Sequence, residues 1–458
     1  MQKSGKIVEW RWQKQESRLE KCAFGVSFFF YLLQFGKNAV LLPCEEKYSI
    51  YCVNLLNALR KMQNMFQRAE YQIIKKRLEE PRRFIQVVMG PRQVGKSTVV
   101  KQVLNDLNAP YQLFSADNVP ATDSAWVANC WAMVRRLLDN QGMESIILVI
   151  DEIQKIHNWS EVVKKEWDDD TFHDRNIKVL LLGSSRVMLE KGLSESLMGR
   201  FEEIRMGQWS YREMKDCFGF TLDEYLFYGG YPGAAPLIKD SDRWQQYVQS
   251  AIVEATINRD VLNDTPISKP ALLRQTFELG AAYSGQLLSL NKMLGSLKDA
   301  GNTSTLAGYL NLLDESGLLV ALQKYSIDFA RRKASIPKFQ VYDNALKAVY
   351  TPLTFEQAIM DRDRWGHIFE SGVGAYLVSQ AFVNRFEVFY WRERDDEVDF
   401  VLRKKGKVIA IEVKSNAEKS TEGLNKFKEK FCPDAFFIVG EGGLKVEEFL
   451  QMKPETLF

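Results

Sequence analysis

Two glycines, a lysine and a hydroxyl residue recur at fixed offsets in Gly90-Pro91-Arg92-Gln93-Val94-Gly95-Lys96-Ser97-Thr98, and an apolar, strand-like run over 84–89 leads directly into them. This spacing, set between a strand and a helix, is a phosphate-binding loop. Gly90 and Gly95 let the backbone bend so that successive amide N–H groups face one concavity, which the oxygens of a triphosphate fill. Lys96 then reaches the β/γ-phosphates and Ser97 offers its hydroxyl to Mg²⁺. The helix expected over 97–107 aims its N-terminal dipole at the same anion. A glycine loop that merely turned strand into helix would not require all four residue types at these offsets, so ATP with Mg²⁺ is the expected ligand pair.

A hydrolytic site also needs a metal carboxylate and a group that activates water. Residues 146–150 are consecutive aliphatics followed by Asp151 and Glu152. An all-aliphatic strand suits the centre of a parallel sheet covered on both faces, and the carboxyl end of such a strand is where ligands bind. Asp151 is expected to hold Mg²⁺ through water, and Glu152 to orient or deprotonate the attacking water. A third strand over 178–183 ends in Ser184 and Ser185, which places a hydroxyl in a sensor position beside that water. A short helix over 187–198 then leads to Gly199 and Arg200, and on to a strand near 203–206. Arg200 has two readings. It reaches a neighbouring subunit as an arginine finger, which implies a homo-oligomer, or it pairs with Glu202 or Glu203 on its own surface.

The order of phosphate loop, Asp-Glu strand, polar sensor and Gly-Arg resembles AAA+ ATPases of the archaeal and bacterial type. Tyr228-Gly229-Gly230-Tyr231-Pro232, the helical stretch ending at Asn258-Arg259-Asp260 and the remainder of the chain look like proteins in which this ATPase is fused to a C-terminal domain of unassigned function. The resemblance covers about residues 65–458. It implies a P-loop NTPase with a parallel sheet and helices on both faces, and it specifies chemistry better than biological purpose.

A second constellation lies near the C-terminus. An alternating strand from Val408 ends in Glu412-Val413-Lys414, so Glu412 and Lys414 share a face. A hairpin centred between Lys405 and Gly406 would set Asp399 directly opposite Glu412. Glu370, on the preceding amphipathic helix, adds a fourth group. These positions resemble the PD-(D/E)xK nuclease core of a restriction-endonuclease-like α/β domain. The resemblance implies that Asp399 and Glu412 ligate Mg²⁺ and that Lys414 positions water or stabilises phosphate charge. It also implies nucleic acid, DNA in particular, as a partner. Solvent-facing charge pairing accounts for Glu412 and Lys414 but requires neither Asp399 in register nor an acid at 370.

Between the two sites, 286–324 reads as short helices and a strand pair, similar to a winged helix. Its second helix, near 304–316, carries Leu306, Tyr309, Leu310 and Leu313 on one face. No Lys or Arg occurs from Asp299 to Gln323, whereas a helix entering a DNA groove needs cations against the phosphates. Packing or protein docking is therefore the expected role, and Arg331, Arg332 and Lys333, with Lys338 nearby, are the better phosphate contacts.

The elements that must position these groups fit a chain of 458 residues in four parts: an atypical extension over 1–61, the ATPase over 62–240, a helical lid and winged-helix-like region over 241–336, and the nuclease-like domain over 337–458. Basic and acidic side chains number 61 and 59; the first 61 residues hold ten and five of them, leaving a slightly acidic body. Nucleic acid is then bound only through local patches. The first segment also holds Cys22, Cys44 and Cys52 and an aromatic-rich run over 24–35, an apolar stretch that Gln34 and Lys37 interrupt. It fits neither a signal peptide nor a membrane span. The expectation is an upstream extension from a misplaced start codon, with a membrane-contacting anchor as the alternative. Cys130, Cys217 and Cys432 are widely spaced and only His157, His173 and His367 occur, so neither zinc nor a disulfide framework is indicated and a reducing cytoplasm is expected. Together these features predict a Mg²⁺-dependent ATPase controlling a nuclease-like, nucleic-acid-binding module. The alternative is a signalling or scaffold ATPase whose C-terminal domain is catalytically silent.

Overall fold

Strand β1 (Ile85–Met89) is buried along its whole length, and the alternation of its side chains divides the first core in two. Ile85, Val87 and Met89 face one side, while Val88 faces the other. The computed structural model describes residues 66–184, 192–193, 196–262, 267–298, 301–328, 332, 335–415 and 422–458. The extension over 1–61, Ser185, Arg331, Lys333 and most of the helix expected over 187–198 lie outside them.

Helix α1 (Glu70–Glu79) precedes β1, and α2 (Lys96–Asp106), β2 (Tyr111–Ser115), α3 (Ala125–Gln141), β3 (Ile146–Asp151), α4 (Trp159–Phe172), β4 (Ile177–Gly183) and β5 (Phe201–Arg205) follow. The five strands are parallel in the order β2-β3-β4-β1-β5. Tyr71, Ile74 and Leu78 of α1 and Val99, Val100 and Val103 of α2 cover one face. Val127, Trp131 and Val134 of α3 and Trp159, Val163 and Trp167 of α4 cover the other. With helices on both faces, the carboxyl ends of β1, β3 and β4 lie along one edge, where ligands of such sheets bind. The sequence does not mark strand β2, at the sheet's margin, because its residues are half exposed and lack the unbroken aliphatic run of β3.

Helices α5 (Tyr211–Phe218) and α6 (Leu222–Tyr228) each open on a capping box, Ser210 with Glu213 and Thr221 with Glu224. Helix α7 (Ser241–Tyr247) continues through wider π-helical turns over Val248–Glu254 and Ile257–Leu262. Then come α8 (Pro270–Ala282), α9 (Leu290–Ser296), α10 (Thr303–Glu315) and the antiparallel pair β6 (Leu319–Leu322) and β7 (Lys338–Val341). Leu306, Tyr309, Leu310 and Leu313 of α10 are all buried. The expected boundary at 336/337 falls between two strands that are hydrogen bonded to each other.

The last part contains α11 (Ala345–Ala348), α12 (Phe355–Met360), the long α13 (Arg362–Asn384), β8 (Glu387–Glu393), β9 (Asp396–Lys404), β10 (Lys407–Lys414), α14 (Glu422–Phe431), β11 (Ala435–Gly440) and α15 (Val446–Gln451). Its sheet runs β11-β10-β9-β8, with β8 to β10 antiparallel and β11 parallel to β10. Lys405 and Gly406 both take positive φ, 48° and 89°, as a two-residue hairpin loop of type I′ requires. Lys404 therefore pairs with Lys407 and Phe400 with Ile411.

The ATPase and C-terminal parts lock together through the Gly229-Gly230 turn. Asp343, after β7, accepts hydrogen bonds from the Gly230 amide at 2.7 Å and the Ala345 amide at 3.0 Å. Asn344 donates to the Leu226 and Ile368 carbonyls. Gly229 has φ +73°, and a Cβ there would stand 1.8 Å from Asp343 Oδ1. Gly229→Ala is expected to cost ~3 kcal/mol or more, through both backbone strain and the displaced carboxylate, and to lower the thermal midpoint.

Burial pushes the Asp343 carboxyl up to about 7, against two backbone donors that favour its charged form. A folded-state pKa above the ordinary 3.8 means that the folded chain holds a proton that the unfolded chain has lost. This stabilising contribution is full below about pH 4 and disappears as pH rises through about 7. In urea denaturation, Asp343→Asn is expected to flatten the decline in unfolding free energy across that window, even though its amide NH₂ must face an N–H donor.

Candidate functional site

The phosphate loop follows β1 and needs its glycines for two different reasons. A Cβ on Gly90 would lie 2.2 Å from the Met206 carbonyl oxygen, so the close approach of β5 excludes one. Gly95 has φ +93° and provides the left-handed turn into α2. Lys96 Nζ donates to the Gly90 and Pro91 carbonyls, each at 2.8 Å, which draws the ammonium across the mouth of the loop. Burial lowers its pKa to about 8, while Glu152 and Asp151 oppose that shift. Val94 is buried and its carbonyl faces away from the mouth. It accepts from Arg68 Nη1 at 3.0 Å and Trp209 Nε1 at 2.9 Å. Thr98 is exposed on the first turn of α2.

Asp151 and Glu152 end β3 beside this loop. Ser97 Oγ donates to Asp151 Oδ2 at 2.7 Å. Burial raises the Asp151 carboxyl above its ordinary range, and the Ser97 hydroxyl counters that rise. A hydroxyl in contact with a buried carboxylate is an oxygen donor set suited to Mg²⁺. Ser97 and Asp151 would hold the ion, which would neutralise phosphate charge. Glu152 turns out of the strand with φ +55°, and its Oε2 accepts from Ser184 Oγ at 3.1 Å and Gln154 Nε2 at 2.6 Å. The structure thus brings Glu152 and Ser184 together as the sequence predicts, and it adds Gln154. That side chain is 2% exposed, and its Oε1 is buried with no hydrogen-bond partner. A buried amide with one end unsatisfied and the other on an acid is placed for that acid. In the sequence, Gln154 follows the Asp-Glu pair closely, and only the turn after β3 reveals its direction.

The other variable loop residues are tied to α7 and its continuation. Arg92 makes a two-pronged pair with Asp260, Nε to Oδ2 at 2.6 Å and Nη2 to Oδ1 at 2.5 Å. Gln93 Nε2 donates to the Ala251 carbonyl at 2.6 Å, and its Oε1 accepts from Tyr247 at 2.9 Å. Pro91 lies against the turn at Gly317.

Arg200 stands elsewhere. Its carbonyl accepts from Ile85 at the amino end of β1, so one strand length separates it from the loop of its own chain. Its guanidinium grips Asp168 of α4 at 2.7 and 3.0 Å. This corrects the expected surface partners, Glu202 and Glu203: they stand two and three positions after Arg200, in β5, whereas Asp168 approaches from the neighbouring helix.

In the C-terminal sheet the antiparallel pairing runs as far as Phe400 and Ile411; Asp399 and Glu412, the next residue on each strand, are both nearly fully buried. Asp399 Oδ2 accepts from the Val413 amide at 2.7 Å. Lys338 of β7, fully buried, enters this cluster. Its Nζ lies 2.6 Å from Glu370, 3.3 Å from Glu397 and 3.6 Å from Asp399 Oδ1. The three acids hold the ammonium charged, well above its ordinary range, against the opposing effect of burial. Two expectations are corrected. Lys338 is not a surface phosphate contact, and Glu370 and Asp399 are turned on to an ammonium rather than arranged around a metal ion. Among the described residues, no three acidic, histidine or cysteine side chains converge closely enough to hold one. Mg²⁺ between Asp399 and Glu412 does not fit this arrangement. Lys414 is buried at the end of β10. The sequence marks Lys338 only by its position in a short apolar strand.

Residues 82–215 match the AAA domain family. Residues 219–357 and 365–450 match two families described as domains of unknown function, DUF8612 and DUF4143. An uncharacterized protein of Haemophilus influenzae is 22% identical over 371 residues, 76% of this chain and 87% of its own length. An uncharacterized protein of Methanocaldococcus jannaschii is 21% identical over 274 residues, 56% of this chain and 58% of its own. Among solved structures, the Thermotoga maritima RuvB Holliday junction branch migration motor is similar at TM-score 0.31 and 17% identity, covering 58% of this chain and 88% of that one. AMPPCP-bound DnaA of Aquifex aeolicus is similar at TM-score 0.30 and 16% identity, covering 56% and 91%. ORC1 of Aeropyrum pernix in complex with DNA is similar at TM-score 0.27 and 12% identity, covering 64% and 93%. These superpositions are too loose to carry an argument. The P-loop AAA+ fold of the first part rests on its strand order and the domain match. No helix among the described residues is long and apolar enough to cross a membrane.

Gln154→Ala removes the donor that fixes Glu152 Oε2 without touching the phosphate loop. Steady-state ATP hydrolysis is expected to show kcat lowered about tenfold, with ATP affinity within about twofold of the parent.

Proposed function

We propose that this chain hydrolyses ATP with Mg²⁺ and uses the nucleotide cycle to switch contacts made by its C-terminal part. The observation that carries this reading is the convergence of Glu152 and Ser184 beside the Ser97–Asp151 pair, at the carboxyl edge of the sheet and next to Lys96. The loop amides and Lys96 bind and orient the phosphates. Glu152, fixed by Ser184 and Gln154, accepts a proton from the attacking water, and the surrounding buried residues limit competing water. Arg200 acts in a neighbouring subunit only if it exchanges Asp168 for a phosphate, since its own loop lies across the sheet.

The Lys338 ammonium among Glu370, Glu397 and Asp399 supports a catalytically silent C-terminal part over a cutting one. The second reading is a C-terminal part that cuts DNA; it rests on the burial of Asp399, Glu412 and Lys414 on the neighbouring strands β9 and β10 and requires Lys338 to withdraw from the acids first. A reducing cytoplasm is the compartment we assign, from the cysteine spacing alone.

Lys96→Ala is expected to abolish tight ATP binding. Glu152→Gln should retain binding and lose hydrolysis by about 10²-fold or more, since the amide fills the same space but accepts no proton. Equal turnover in Glu152→Gln and the parent would remove Glu152 from the mechanism. Incubating the parent with DNA and Mg²⁺ decides between the two C-terminal readings: cleavage lost in Asp399→Ala supports the cutting one, and intact DNA supports the silent one.

A further inference from the structure

Asp260 presents a carboxylate to the phosphate loop through the chemistry that a phosphate would repeat. Its side chain is 5% exposed, and both oxygens are engaged by the planar fork of Arg92. Arg–carboxylate and Arg–phosphate pairs use the same two-pronged geometry, so one guanidinium can exchange one anion for the other but cannot grip both fully. Arg92 belongs to the loop that curls around the phosphates. Asp260 belongs to the helical segment over 241–262, which also holds Gln93 through Ala251 and Tyr247. That segment is wound with π-helical turns at both contact regions, Val248–Glu254 and Ile257–Leu262. Such turns commonly mark functional positions in helices. The carboxylate also lies within electrostatic reach of Lys96 and Glu152.

We propose that Asp260 competes with the γ-phosphate of ATP for Arg92, so that ATP, but not ADP, detaches the segment over 241–262 from the phosphate loop. The proposal rests on the ATP reading above and adds the group by which the site distinguishes triphosphate from diphosphate and reports the difference to the rest of the chain. A ligand shifts a conformational balance only by its differential affinity for the two states, and the γ-phosphate contact on Arg92 supplies that difference here.

The test is a fluorescence titration of the full chain with N-methylanthraniloyl ATP and ADP in Mg²⁺ buffer, with Glu152→Gln as the background to stop turnover. Asp260→Asn should tighten ATP binding by about tenfold and leave ADP within about twofold, because the competing charge is gone. Arg92→Ala should weaken ATP binding more than ADP binding. An ATP-to-ADP ratio untouched by Asp260→Asn overturns the exchange while leaving the ATPase reading intact. Failure of the parent chain to bind either nucleotide sinks both. If Asp260→Asn does not fold, amide hydrogen exchange over 247–262 in the Glu152→Gln protein decides the question: faster exchange with ATP than with ADP is expected, and equal exchange overturns the proposal.

Discussion

A loop that points its amides at an anion must leave its carbonyls to be satisfied from elsewhere, and much of the packing around this site follows from that requirement. The Gly90 and Pro91 carbonyls are taken by Lys96, and the Val94 carbonyl by Arg68 and Trp209. Arg68 is itself almost fully buried and held by Glu213, the residue that closes the capping box of α5. The loop's shape thus depends on a helix far along the chain, and the next helix, α6, ends in the Gly229-Gly230 turn on which the C-terminal part docks. A change at Glu213 has a route to the nucleotide site through two hydrogen bonds.

The two carboxylate sites answer the same electrostatic problem differently. Asp151 is buried beside a hydroxyl, and no cationic side chain hydrogen bonds to it among the contacts described, so it favours a cation brought from solution. Glu370, Glu397 and Asp399 gather around a lysine already present. Replacing one partner of such a buried group leaves charge uncompensated, which is costly, whereas the intact group adds little net stability. Its value lies in fixing where β7 sits relative to β9 and α13.

The nucleotide site was legible from residues alone because each part is local. The loop spans consecutive positions, and Asp151, Glu152 and Ser184 sit at strand ends that aliphatic runs announce. The hairpin was also legible, since a two-residue turn at Lys405-Gly406 fixes the register out to Phe400 and Ile411. What sequence did not disclose depends on distant chain segments: Lys338 entering the acid cluster, Asp260 reaching Arg92, Asp168 capturing Arg200, and Arg68 supporting Val94. Each is a long, flexible or singly placed polar side chain whose partner is chosen by tertiary packing, not by spacing. The pairing of β6 with β7 across 336/337 has the same origin, because the two strands are separated by a long connection and their pairing leaves no local mark.

Lys338 belongs to two structures at once. Its backbone lies in the strand that pairs with β6 and bridges to Leu287, while its ammonium is sunk among acids of the following sheet. Separating β7 from either side would therefore break both a strand pairing and a buried charge cluster. In mechanical language, β7 is a pin: the segments it joins cannot slide apart without drawing a buried cation out of its socket.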